Sequence, residues 1–449
     1  MKKFAILILC GLFILPNFSF AGFDSDKFSL GGELITSVVS VNSDDYENIE
    51  YSSQLRLGME VKSDNNMVFG GQLYGYKYMG ELDQTFDKTN FDTLRLERLH
   101  FKWWNILDSN FNYSIGRRPF FYGQAMVVSN DGIYSGTPYR TPSDFNVDGA
   151  TIGYFLEPLT DIKGMNVRLC YGLGIEEEWG NGTRATDKNL EGAKLAGISF
   201  DLYHDDKTLI LASFFRAHDI NDGFNGTSAF PTQYATLFAQ DTEKFPTFNF
   251  ATRYVPTTTI GDIILIDLNV SHEFESGFVL FGSIAMTQLR PNGKAGMFGG
   301  MGSDAVFQVT LSEDGSEIIM SPAYSENNDH QEGYGVYVGM QIPAPMGKFG
   351  LEYNYGSKYW TPINRIQDDV LGNKLATRGH VGEAYYILNV SQAASIKIGA
   401  IYYDYEYSGS GSPVGKPKKI SDIEDGAEYS LLPVVDTAWD AYAKIILTF

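Results

Sequence analysis

Residues Asp436–Phe449 read Asp-Thr-Ala-Trp-Asp-Ala-Tyr-Ala-Lys-Ile-Ile-Leu-Thr-Phe, and Phe449 is the last residue of the sequence. Steps of two back from Phe449 give Leu447, Ile445, Ala443, Ala441 and Trp439. The alternate set is Thr448, Ile446, Lys444, Tyr442 and Asp440. Successive side chains of a β-strand point to opposite faces. One face is therefore wholly apolar, and the other carries Lys444, Tyr442 and Asp440. A free terminal strand frays unless a neighbour holds it, so this pattern predicts a partner strand elsewhere in the chain. A soluble sandwich can end the same way, and the rest of the sequence decides.

Working outward, the same alternation recurs. Leu55, Leu57, Met59 and Val61 alternate with Arg56, Gly58, Glu60 and Lys62. Leu99, Phe101 and Trp103 alternate with Arg98, His100 and Lys102. Arg95 and Glu97 break that parity, which marks either the outer rim or a bulge. Ile264, Ile266, Leu268 and Val270 alternate with Asp267, Asn269 and Ser271, and Phe349, Leu351, Tyr353 and Tyr355 with Glu352 and Asn354. Turn-forming clusters at 63–66, 107–110, 205–207, 275–277 and 343–347 alternate with long loops. The loops include the acidic Asn42–Glu50 stretch, Pro119–Asn146 and Pro291–Gly333. Within Pro291–Gly333, the segments Val306–Leu311 and Glu317–Met320 predict a hairpin of their own.

Strands of about ten residues cross a bilayer at barrel tilt, and short turns opposite long loops are the mark of outer-membrane barrels. In hydrocarbon every backbone polar group must be satisfied internally, so alternating strands can span only as a closed barrel. The expected fold class is all-β: a transmembrane, antiparallel, up-and-down β-barrel of about sixteen strands, with short periplasmic turns and long extracellular loops. The first strand, around Phe28–Val41, is expected to pair with the last and close the sheet.

Met-Lys-Lys, an apolar run from Phe4 to Leu15 and small residues at Ser19 and Ala21 predict a signal peptide over residues 1–21. Residues 22–449 then form a single barrel domain. Cys10 leaves with the signal, so Cys170 is the one mature cysteine and no intramolecular disulfide is expected. The formal charge of −21 argues against a nucleic-acid partner, which needs a basic face. The 28 Tyr and 31 Phe suit interfacial aromatic girdles.

The apolar last strand ending on Phe449 resembles the closing strand of bacterial outer-membrane β-barrels. The resemblance implies that Phe449 is an assembly signal read by the outer-membrane assembly machinery. The long segment Pro119–Asn146 resembles, by its position, the inward-folded loop of the general bacterial porins. There acidic loop groups face wall arginines, and trimers are common. That resemblance makes Asp131 and Asp144 constriction candidates opposite Arg56, Arg98, Lys102 and Arg118. Glu60, His100 and Lys444 complete the expected pore lining. The stretches Gly116-Arg117-Arg118-Pro119, Gly136-Thr137-Pro138 and Asp148–Tyr154 resemble an uncharacterised proteobacterial family of large outer-membrane barrels.

Enzymatic signatures are weak. The six histidines have no metal-ligand spacing, and no nucleophile elbow marks a serine. No catalytic residue, metal or cofactor is assigned. The favoured function is a porin passing small hydrophilic solutes or ions, with outer-membrane lipid and lipopolysaccharide around it. Lys416, Lys418 and Lys419 are candidates for meeting lipopolysaccharide phosphates. A surface barrel whose loops bind a partner is the alternative, followed by an outer-membrane hydrolase.

Overall fold

The computed structural model describes residues 23–24, 27–43, 46–63, 65–78, 95–119, 143–144, 146–173, 193–222, 257–312, 318–364, 374–429 and 434–449. Sixteen strands form a closed antiparallel barrel. They are β1 (Phe28–Ser43), β2 (Tyr46–Ser63), β3 (Met67–Tyr78), β4 (Arg95–Trp103), β5 (Phe111–Pro119), β6 (Asn146–Phe155), β7 (Asn166–Leu173) and β8 (Lys194–His204). The second half comprises β9 (Thr208–Asn221), β10 (Thr259–Glu273), β11 (Val279–Pro291), β12 (Gln331–Ala344), β13 (Gly347–Gly356), β14 (Gly379–Ser391), β15 (Ala394–Tyr405) and β16 (Thr437–Thr448). Each strand pairs with its sequence neighbour, and β16 pairs with β1 from Glu33↔Thr448 to Ser43↔Ala438. The partner that the terminal strand needed is therefore the first strand.

The chain end is held on both sides of the peptide. Gly32 N donates to Phe449 O at 2.7 Å, and Phe449 N donates to Gly32 O at 3.0 Å. The Phe449 ring lies over Gly32, where an added Cβ would sit 2.7 Å from Cζ. The same Cβ would stand 2.5 Å from Arg56 O, so a larger residue there would strain the β2 backbone as well as the ring.

Alternate faces sort as a membrane barrel requires. Leu30, Met59, Phe69, Leu99, Ile115, Ile152, Leu169, Phe214, Ile266, Ile284, Val338, Ile398 and Trp439 are large apolar residues exposed on the outside. On β10 the outward row runs from Asp262 through Ile264, Ile266, Leu268 and Val270 to His272. That is about ten steps of ~3.3 Å, which at a tilt near 40° spans roughly 25 Å, the height of an outer-membrane apolar band. The chain is thus a membrane-spanning barrel, and bacterial single-chain barrels with an even strand number span the outer membrane. The short connections lie at the periplasmic end. One of them, between β8 and β9, is fixed by Asp205, whose carboxylate accepts from Lys207 N at 2.9 Å, Thr208 N at 2.6 Å and Tyr203 Oη at 2.8 Å.

One expectation changes, one open alternative is decided, and one feature is new. The acidic stretch Asn42–Glu50 is not a long loop. β1 and β2 run on in register to Ser43↔Tyr46, leaving only residues 44–45 between them. Strands of 16 and 18 residues exceed what the bilayer needs and extend above it. The parity break on β4 is a bulge: register shifts between Gln72 and Leu73 place both Leu96 and Leu99 outward and turn Glu97 inward. Finally, apolar residues do not mark the lipid face everywhere. Leu209, Leu211 and Phe215 on β9, Ile263 and Leu265 on β10, and Ile35, Val39 and Val41 on β1 point inward and are buried. They pack against loop residues that enter the barrel: Met301, Ile363 and Leu375 join these clusters, and so does Ile420. The expected hairpin in the sixth external loop is present, Ala305–Leu311 paired with Ile318–Ser325.

Candidate functional site

The inward faces divide into two arcs. From β2 to β8 the inward side chains are largely polar. Arg56 bonds Glu33 at 3.0 Å, lies 3.8 Å from Glu97 and has its guanidinium 5.0 Å from the centre of the Tyr74 ring. His100 lies against Gly70, where an added Cβ would come within 2.6 Å of the imidazole. Such close contact explains a glycine on that inward position. Arg168 on β7 pairs with Asp201 on β8 and donates to Ser199 Oγ at 3.4 Å. Asn112, Ser114 and Thr151 are buried on the same arc.

The other arc is covered by a strap, the seventh external loop between β13 and β14. Trp360, Thr361, Ile363, Lys374, Leu375, Ala376, Thr377 and Arg378 of this loop are all buried. No periodicity in the sequence announces that, because a loop is buried through its tertiary contacts. The strap is fastened at several points. Trp360 Nε1 donates to Leu375 O at 2.7 Å, and Asn354 Nδ2 on β13 donates to Lys374 O at 2.9 Å. Thr361 N donates to Thr287 Oγ1 on β11 at 3.2 Å. Arg378 donates to Trp360 O at 3.1 Å, Thr361 Oγ1 at 3.0 Å, Ser408 O at 3.1 Å and Ser412 O at 2.7 Å, tying the seventh loop to the eighth. Gly379, at φ 142°, returns the strap to the wall, where a Cβ would stand 2.1 Å from Asp404 O.

At the centre Lys374 pairs with both Glu352 on β13 and Glu383 on β14. Tyr337 Oη donates to Glu352 at 2.8 Å, and Tyr442 Oη donates to Glu383 at 2.6 Å. Lys397 Nζ, fully buried, lies 3.4 Å from Glu383 and 3.5 Å from the Tyr385 ring centre. Lys444 on β16 stands directly across from Lys397 and 4.6 Å from the Tyr442 ring. Ammonium groups over ring faces gain from the ring quadrupole, and like charges set opposite one another lose. The rings and the two carboxylates together let three ammonium groups share one inward patch.

The sequence-derived residues are placed as follows. Arg56, Glu60, Arg98, His100 and Lys102 occupy the inward face of β2 and β4. Lys444 is inward, in the strap cluster. Phe449 sits at the β1–β16 seam. Asp131 lies outside the described residues, as do the side chains of Arg118 and Asp144. The backbone of Ser143–Asp144 pairs in parallel with Ile363–Asn364 of the strap, so the third and seventh loops meet. Sequence reasoning did not single out Lys374, Glu383, Tyr337, Tyr385 or Arg378. Glu383 and Tyr385 share β14's inward parity, which could have found them. Lys374 and Arg378 sit in a loop without such a signal. Lys418, a lipopolysaccharide candidate, is instead engaged within the loops, 3.4 Å from Asp304 and 2.6 Å from Tyr429 O.

A family described as a protein of unknown function (DUF3373) matches residues 44–449, and the chain belongs to that family. Among solved structures, Salmonella typhi OmpF in complex with daunomycin is similar with a TM-score of 0.51 at 12% identity, over 96% of this chain and 100% of that one. An anion-selective porin from Comamonas acidovorans gives 0.49 at 11% identity, over 94% and 99%. The likeness to the Salmonella typhi structure shows the fold alone. The sequence has no match among curated proteins.

Proposed function

We infer that this member of the family is a porin: a water-filled channel for passive diffusion of small hydrophilic solutes or ions, narrowed by the seventh-loop strap. The observation that carries this is the polar inward arc of β2–β8, with Arg56, Glu97, Arg98, His100, Lys102, Arg168 and Asp201 about half a barrel away from the strap. Charged and polar groups inside a sixteen-strand wall are compatible with water, and barrels of this strand number commonly hold an aqueous channel. Selectivity follows from pore width and wall charge, with no covalent step. Arg56, Glu60, Arg98, His100, Lys102 and Lys444 are the proposed lining, and Arg118, Asp131 and Asp144 the proposed contributions of the third loop. Residues 1–21 are proposed as the export signal, 22–449 as one barrel domain, and a homo-trimer as the assembly. Liposome swelling tests the channel. Proteoliposomes should admit small neutral sugars at rates that fall with sugar size. No swelling with any sugar, from protein shown to be folded, would contradict it.

A further inference from the structure

Near its extracellular edge the outer wall carries several charged pairs, among them Arg117 with Asp148, and one group of cations on β8–β11. On β9 the outward row includes Phe214, Arg216 and His218; on β10 it includes Asp262 above Ile264; on β11 it includes Ile284, Gln288 and Arg290. Arg216 is 40% exposed and donates twice to Asp262, through Nε at 3.1 Å and through Nη2. Asp262 also accepts from Asp219 N at 3.1 Å and lies 3.4 Å from His218 Nδ1. Asp262 is the register partner of Arg290, yet its oxygens are taken by β9. Arg290 is left with one contact among the described residues, Nε to His330 Nε2 at 3.5 Å, and no carboxylate. Lys194 extends the row on β8, 3.7 Å from Asp219. Around β13–β16 the same outward level holds aromatics, Tyr353, Tyr355, Tyr402 and Trp439, with acidic Asp404 and Glu406 beside His380 and no arginine among the described residues.

Depth decides what these cations meet. They stand at the outer edge of the roughly 25 Å apolar band, since the row from Asp262 to His272 already spans it. An arginine facing hydrocarbon is strongly disfavoured at the midplane and tolerated only near the interface. Outward at this level lies the headgroup layer of the outer leaflet, whose glycolipid carries phosphates. Arg216 and Arg290 flank β10 at about two strand spacings, ~10 Å. Asp262 fixes the Arg216 fork on one edge, and Nη1 has no partner among the described residues. A guanidinium with free donors is the side chain best matched to phosphate oxygens.

We propose that the outer face of β9–β11 at the extracellular edge of the apolar band binds a phosphate of an outer-leaflet glycolipid, with Arg216 and Arg290 as its ligands. Lys194, His218 and His330 surround the site. This reading depends on the barrel spanning the membrane and is independent of whether the lumen conducts.

The test uses the full-length folded protein in detergent. Native mass spectrometry titrates it with bis-phosphorylated lipid A and with the same glycolipid stripped of phosphate. Unmodified protein should bind the phosphorylated form at least tenfold more tightly. Arg216→Gln with Arg290→Gln should remove that preference, while Lys207→Gln, outward at a periplasmic turn, should keep it. Heat-modifiable gel mobility establishes folding of each variant, and Arg290→Gln alone serves if the double variant does not fold. It should weaken phosphorylated lipid A about tenfold, as expected when a charge-assisted contact is lost. Equal binding of the two glycolipids by unmodified protein, or undiminished preference in the arginine variants, overturns the proposal.

Discussion

Lys374→Met is the substitution that reaches furthest into the structure. In the native chain Lys374 bridges Glu352 and Glu383, whose side chains are 3% and 1% exposed. Methionine keeps most of the volume and removes the charge. Glu352 then retains Tyr337 Oη, and Glu383 retains Tyr442 Oη and Lys397. Removing one member of a buried ion pair costs about 3–5 kcal/mol because the remaining charge is stranded. Water in the lumen favours the lower figure. About 3 kcal/mol is ~150-fold in the ratio of docked to undocked strap. A strap undocked ~0.1% of the time would then be undocked on the order of 10% of the time. The barrel itself should persist, because its closure at β1–β16 does not involve Lys374. Single-channel recording in planar bilayers reads the change: the native level should be joined by a larger, frequently visited level. Adding Glu352→Gln to Lys374→Met removes the carboxylate left without an ammonium, while Glu383 keeps Lys397, and should return the record toward native. A Lys374→Met record identical in level and noise to native would refute the latch. So would a double variant as noisy as the single one.

The remaining predictions concern the seam, the wall and a turn. Deleting Phe449 should reduce the folded fraction in the outer membrane, measured by heat-modifiable mobility of membrane extracts; unchanged yields would dismiss the seam contact. Lys444→Gln should leave that mobility intact and shift the reversal potential toward cations, and failure to insert would show the inward face to be misassigned. Asp205 is held at a pKa of about 2, first by Lys207 N, then by the Tyr203 hydroxyl and Thr208 N. A folded value below the ordinary ~3.9 means that its contribution is present above that value and lost as pH falls through about 2. Carboxyl NMR should therefore place its midpoint near 2, and a midpoint near 4 would remove the turn's anchoring. Arg378→Gln should loosen the eighth loop, because Ser408 O and Ser412 O lose their donor; protease cleavage after Lys418 or Lys419 should accelerate in folded protein, and unchanged cleavage would disconnect the two loops.

Much of the architecture was legible because it rests on parity. The strand-and-turn rhythm, the closing pair of first and last strands, and the hairpin at 305–325 all follow from alternation and turn chemistry. The sites were less legible. Parity placed Arg56, His100 and Lys444 on inward faces, yet it could not say that Glu97 joins Arg56, because a bulge resets the count on β4. Inward Phe215 and Ile263 were not singled out, because apolar side chains suit hydrocarbon and a packed interior equally well. Lys374 and Arg378 carried no signal, since a loop that folds into a lumen is specified by partners far along the chain. The acidic run at 44–50 read as a solvated loop, whereas strands that outgrow the bilayer can carry the same polar residues above it.

Planar-bilayer recording of the unmodified protein tests the channel most directly. Purified, folded protein should insert as discrete, reproducible unitary current steps. A membrane that stays silent across independent folded preparations would contradict a water-filled pore and leave the polar arc as the lining of a closed barrel.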